Sequence, residues 1–93
     1  MANVKVPSML RPMVGGERVI SAEGGTVRDL ITLVDRSHPG FAAQLMDQRS
    51  GGLRSFVNVY LNDEDVRYLG GLDTPVEQAD TVSILPAVAG GRG

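Results

Sequence analysis

Apolar residues follow two different periods along the chain. Over residues 3–7, Val4 and Val6 alternate with other positions, the period of a half-buried strand. A second apolar stretch at Val19 and Ile20 follows a loop that carries Gly15 and Gly16. Two short strands across a glycine-containing loop predict a hairpin. From Val27 the period lengthens: Val27, Leu30, Ile31 and Val34 recur at the spacing of an amphipathic helix, with Arg28, Thr32, Asp35 and Arg36 on the other face. Thr26 is the predicted N-cap. Asp29, three residues later, stands where a capping box places Glu or Gln, and the helix dipole favours its charge there. The sequence His38, Pro39, Gly40 ends the helix, because proline disfavours the helical region for the residue before it.

The second half returns to strand periods. "FAAQLMDQ" predicts a short helical turn with Phe41 and Leu45 inward, and "RSGGLRS" a loop. In "FVNVYLN", Val57, Val59 and Leu61 share one face, while Phe56, Asn58 and Tyr60 share the other. "NDED" is a turn by its Asn and Asp content. "VRYL" reads as a fourth short strand, and "GGLDTPVEQAD" as a connector with a helical turn at 74–78. "TVSILPA" is the last strand, with Val82 and Ile84 toward the core and Leu85 toward solvent. Pro86 cannot donate to a ladder, so the strand ends there or becomes an edge. This order predicts an α+β fold: a mixed sheet of four to five strands, one main helix packed on one face, and parallel pairing of the first and last strands. Residues 1–86 form the expected domain and 87–93 a flexible tail.

Composition narrows the function classes. Ninety-three residues suffice for one domain with a modest core. Aromatic residues make up only 4%, so that core must be aliphatic. The absence of cysteine excludes disulfides, thiolate metal sites, a thiol nucleophile and a persulfide. A net charge of −2 leaves no basic stripe for nucleic acid or anionic lipid. "MANVKVPSML" lacks the pattern of a signal peptide. No stretch approaches the roughly 20 apolar residues of a membrane span. The expectation is a cytoplasmic protein without nucleic-acid or membrane partners.

Candidate chemistry is sparse. His38 is the single histidine, with no cysteine or second histidine to join it, and reads as an exposed residue at a helix end. Asp63, Glu64 and Asp65 lack the spacing and glycine of a calcium loop and read as a solvated turn. The glycine pairs at 15–16, 24–25, 51–52 and 70–71 do not fit a phosphate-binding loop with its lysine; turns account for them. Thr26 and the serines have no histidine in a plausible triad order. Nothing here reads as an enzyme, a metal site or a site for a bound cofactor.

A fifth glycine pair, Gly90 and Gly91, lies beyond the last strand in "PAVAGGRG". Residues 87–91 could reach about 17 Å, at ~3.4 Å per residue. Small side chains suit a narrow channel, and glycine allows close backbone approach. A terminal carboxylate, with a pKa of ~3.5, is ionised at neutral pH and could attack the α-phosphate of ATP. No acidic residue follows Asp80 to repel the nucleotide. On composition alone the alternative is a frayed end.

"VNVYLNDEDVR" and "ADTVSILPAVAGG", after a strand–strand–helix order, resemble the ubiquitin-like sulfur carrier proteins of thiamine, molybdopterin and cysteine biosynthesis. With "LRP" near the N-terminus and the chain length, the resemblance is strongest to the actinobacterial cysteine-pathway carriers. It covers essentially the whole chain to Gly91 and implies a β-grasp fold. It also implies that a partner enzyme adenylates the Gly91 carboxylate with ATP and Mg²⁺, and that sulfur then replaces the adenylate to give a thiocarboxylate. The implied partners are that adenylating sulfurtransferase, a sulfur-accepting synthase and a zinc metallopeptidase. Gly90 and Gly91 carry the implied chemistry; Leu85 and Val88, with Phe56 and Tyr60, form the implied partner-binding face. For Phe56 and Tyr60 the alternative is ordinary packing against a loop. Arg92 and Gly93 depart from the simplest pattern, because an amide at Gly91 cannot be adenylated. The expectation is trimming between Gly91 and Arg92; otherwise Gly93 is itself the functional end, or the two residues are an addition. The alternative roles are the small subunit of a molybdopterin synthase, a carrier for thiamine or thiosugars, and a ubiquitin-like protein modifier.

Overall fold

The computed structural model describes residues 1–47, 49–54 and 57–86. Its five strands are β1 (Ala2–Lys5), β2 (Val19–Ala22), β3 (Val57–Leu61), β4 (Glu64–Asp65) and β5 (Thr81–Pro86), and its two α-helices are α1 (Val27–Ser37) and α2 (Phe41–Leu45). The sheet order is β2-β1-β5-β3-β4. β1 and β5 pair in parallel at the centre, with Val4 opposite Val82, and the other pairings are antiparallel. A mixed sheet with a parallel central pair, a hairpin on each side and a helix across one face is the β-grasp fold implied by the resemblance.

Alternation decides which face is buried. Val4, Val57, Val59, Val82 and Ile84 form the covered face and meet Val27, Leu30, Ile31 and Val34 of α1 in one aliphatic core. Phe41, Leu45, Val14 and Val66 close its flanks. Burying each such side chain contributes roughly 1.5–3 kcal/mol. The Thr26 hydroxyl caps α1 by accepting the Asp29 N–H at 3.1 Å, a contact worth about 1 kcal/mol. The return bond is displaced by one residue: the Asp29 carboxylate accepts from Gly25 N–H at 3.3 Å.

Asp35, expected only on the outer face of the helix, is half-buried and bonds the next segment. One of its oxygens accepts the N–H groups of Gly40 at 3.1 Å and Ala42 at 3.0 Å. That anchors the start of α2 and turns Phe41 and Leu45 inward as expected. His38 is half-buried rather than exposed. It closes α1 through its backbone, with its N–H on Val34 O at 2.8 Å.

Three segments depart from their sequence expectation, each for a local reason. The link between β1 and β2 is a 3-10 helix, Ser8–Val14, rather than an open loop. Leu10 and Val14 give it an apolar face on the core, while Gly15 and Gly16 reverse the chain with φ of 68° and 82°. "VRYL" is not a strand: the fourth strand is the two-residue β4, followed by a 3-10 turn at Val66–Tyr68. The Asp65 carboxylate accepts Arg67 N–H at 2.9 Å, which diverts the backbone from the ladder. The helical turn expected at 74–78 lies earlier, at Gly71–Asp73. The hydroxyl of the buried Thr74 accepts Gly70 N–H at 2.9 Å and donates to Gly71 O at 2.7 Å, closing that turn. Pro75 then favours an extended Thr74, whose ψ is 126°.

Candidate functional site

The candidate site is the uncovered face of the sheet around the end of β5. Residues directly opposite one another share a face. Lys5 lies opposite Ser83, and Ser83 opposite Tyr60, while Asn58 lies opposite Leu85. These residues face away from α1. Leu85 is 50% exposed, although Ile84 beside it is 2% exposed. Tyr60 is half-buried and diagonal to Leu85 across the β3–β5 pair, a separation an aromatic side chain can span. The face is polar around these two: the Ser21 hydroxyl donates to the Asn3 amide oxygen at 3.1 Å, and Arg67 donates to that of Asn58 at 2.8 Å.

β5 loses its neighbours unevenly toward its end. β1 pairs it only at Thr81, Val82 and Ser83. Leu85 and Pro86 pair with Asn58 and Val57 of β3. On the core side, Pro7, Met9, Leu10, Gln44, Leu45, Val57 and Ile84 line an apolar pit of about 60 Å³. Met9 is 65% exposed at its rim. β5 therefore ends between an exposed Leu85 on one face and a small apolar opening on the other.

Of the site residues expected from sequence, Leu85 and Tyr60 fall on one face, as alternation requires. Phe56, Val88, Gly90, Gly91 and Arg92 lie outside the described residues. Sequence reasoning missed Arg67, whose guanidinium contacts backbone on both sides of residues 55 and 56. Its signal was present: an aspartate two positions ahead is the pattern of an Asx turn rather than of a continuing strand. Asp63, Glu64 and Asp65 occupy the β3–β4 turn and β4. Among the described residues no group of three or more His, Cys, Asp or Glu is placed to hold a metal ion. No helix of the described residues is long and apolar enough to cross a membrane.

A family model, described as the ThiS family, matches residues 4–91. The chain belongs to the ThiS family. The match ends on Gly91, the second glycine of the fifth pair. Among ThiS-family relatives, the sulfur carrier protein CysO of Mycobacterium tuberculosis is 48% identical over 89 residues, 95% of this chain and 96% of its own. A protein named as a putative sulfur carrier in Archaeoglobus fulgidus is 38% identical over 88 residues, again 95% and 96% of the two chains. A chain in a crystal structure of the Amycolatopsis orientalis BexX/CysO complex superposes with a TM-score of 0.90 at 46% identity, covering 98% of this chain and 100% of that one.

Proposed function

We propose that the chain is a sulfur carrier, a protein cosubstrate rather than a catalyst. The observation that carries this reading is the near end-to-end similarity to carriers of the same length, with the family match ending on Gly91. The reactive group is the Gly91 carboxylate. One of its oxygens attacks the α-phosphorus of ATP in a partner adenylating enzyme, the bond to pyrophosphate breaks, and an acyl-adenylate results. ATP and Mg²⁺ belong to that partner. Sulfur at the oxidation level of sulfide then attacks the Gly91 carbonyl carbon, AMP leaves, and a thiocarboxylate remains. Gly90 and Gly91 present this carbon without a side chain to obstruct a channel.

The favoured acceptor chemistry is cysteine formation, by analogy with the CysO relatives. A synthase joins the thiocarboxylate sulfur to the β-carbon of an activated serine as the activating group leaves, the acyl group passes from sulfur to the amino nitrogen, and a zinc-dependent metallopeptidase hydrolyses that amide to release cysteine and restore the Gly91 carboxylate. Leu85, Tyr60, Val88 and Phe56 form the docking face for these partners. A CysO chain has been crystallised in complex with BexX, which supports a surface of this fold serving as an interface. In the 93-residue sequence the Gly91 carbonyl is bonded to Arg92, so Arg92 and Gly93 are removed before activation.

Intact-mass analysis of protein from its native host tests the reading. The expected species ends at Gly91 and shows the mass gain of sulfur replacing oxygen, and deleting Gly91 abolishes that gain while the protein stays folded. Normal sulfur loading of a chain ending at Gly90 would overturn the assignment. If the only sulfur-bearing species retains Arg92 and Gly93, trimming is not part of the mechanism.

A further inference from the structure

β4 is two residues long and covers β3 only at Tyr60 and Leu61. The earlier part of that edge, at Val57, is served by a backbone bond from Val57 N–H to Arg54 O at 3.0 Å and by a side chain. Arg67 reaches back from the 3-10 turn after β4, and one of its terminal nitrogens donates to Val57 O at 2.6 Å and to Arg54 O at 2.8 Å. The other donates to the Asn58 amide oxygen at 2.8 Å. Its own N–H is held by the Asp65 carboxylate at 2.9 Å. Arg54 is tied in turn to the end of the helical layer, with two guanidinium nitrogens on Ala43 O at 3.1 and 2.9 Å. A planar fork that bridges two backbone carbonyls and an amide acts here as a substitute strand; lysine, a point charge, cannot span the three acceptors in the same way.

The opposite edge of the same residues faces β5. Asn58 pairs with Leu85 and Val57 with Pro86, beyond the last β1 contact at Ser83. Pro86 has no N–H to add to the ladder. The final two residues of β5 thus depend on the stretch of β3 that Arg67 holds from behind.

We propose that Arg67 is a positioning residue for the chemistry at Gly91. It fixes the start of β3 against the end of β5, the strand that precedes Gly91 in the sequence. This inference rests on the carrier reading for its functional half. Arg67 acts through Val57 and Asn58 on Leu85 and Pro86. Misplacing the strand end that carries the five-residue segment 87–91 lowers the fraction of docked complexes that place Gly91 productively. The Leu85 side chain stays on the exposed face of β5, so docking is affected less than the rate.

The test compares wild type, Arg67→Ala and Arg67→Lys, each purified from a native-host strain lacking the adenylating enzyme. Backbone hydrogen exchange is read alongside adenylate formation by that enzyme with ATP. Arg67→Ala is expected to lose protection selectively at the Leu85 amide while Val59, Val82 and the α1 amides keep theirs. The maximal adenylation rate is expected to fall about tenfold with KM changed less than twofold, and Arg67→Lys to recover part of both. Unchanged Leu85 protection, a loss of protection spread evenly over the core, or a rate equal to wild type would each overturn the inference. A wild-type chain that is never adenylated would overturn the carrier reading and the role in loading together, whereas the exchange pattern separately decides whether Arg67 holds the strand end.

Discussion

Leu85 stands directly opposite Asn58 across the β5–β3 pair, on the uncovered face of the sheet and half exposed to solvent. An exposed apolar side chain beside a polar neighbour, near the end of β5, contributes little to the fold and much to a surface. Leu85→Ala is therefore expected to change unfolding free energy by no more than about 0.5 kcal/mol. It is expected to raise KM in partner-catalysed adenylation by about tenfold, equivalent to roughly 1.4 kcal/mol of lost docking. Urea denaturation and steady-state kinetics on the same preparation check both halves.

The neighbouring residue behaves oppositely. Ile84 is 2% exposed and packs with Val57, Val59 and Val82 beneath α1. Ile84→Ala deletes buried methylene and methyl groups, and the strands around it cannot collapse freely into the space. A loss of about 2–5 kcal/mol is expected, seen as a lower denaturation midpoint with an unchanged slope. At temperatures where the variant remains folded, KM for a partner enzyme should stay near wild type.

Those two residues also show what could be read from the chain in advance. The strict alternation in "TVSILP" assigns Ile84 and Leu85 to opposite faces, and the structure places them there. The helix at Val27–Ser37 and its Thr26 cap were equally legible, because a helical apolar stripe and a local hydrogen bond are both set by sequence spacing. "VRYL" was not legible by the same rule. Its apolar residues fit a strand, but the Asp65 carboxylate takes the Arg67 N–H and Val66 turns into the core. The role of Arg67 depends on carbonyls at 54 and 57 brought near by the β3–β4 turn, a long-range arrangement that periodicity cannot report. Thr74 was missed for a related reason: its hydroxyl is shared by Gly70 and Gly71 in a turn that ends just before Pro75.

Asn62 sits at the β3–β4 turn with φ of 58°. Its side-chain oxygen accepts Thr81 N–H at 3.1 Å, and its side-chain nitrogen donates to an Asp80 oxygen at 3.3 Å. Asparagine therefore serves twice, tolerating the left-handed conformation and tying the turn to the start of β5. Asn62→Ala loses both and adds about 1–2 kcal/mol of backbone strain. Asn62→Gly loses only the side-chain bonds. Thermal unfolding is expected to rank wild type first, Asn62→Gly second and Asn62→Ala last. Equal midpoints for the two variants would show that the left-handed turn imposes no penalty.

The glycine pair before α1 separates into one required and one replaceable member. A Cβ at Gly24 would lie 3.0 Å from Asp29 Cβ, 3.2 Å from Leu30 Cδ2 and 3.2 Å from Leu30 N. Two of those atoms belong to the first turn of α1, close to the backbone, and cannot swing aside. At Gly25 the nearest atom is a carboxylate oxygen of Asp29 at 3.7 Å, an ordinary contact. Neither residue has a positive φ, so close approach rather than backbone freedom distinguishes them. Gly24→Ala must push the start of α1 away from β2, straining the cap that Thr26 and Asp29 make. A loss of about 1–3 kcal/mol is expected, the range for inserting a methyl group into packed surroundings. Gly25→Ala removes a flexible residue from the unfolded chain at a position with room for a side chain. It is expected to be neutral or stabilising by up to about 1 kcal/mol. Paired urea titrations check the contrast: equal midpoints for the two variants would mean that α1 can shift away from Gly24 at no measurable cost.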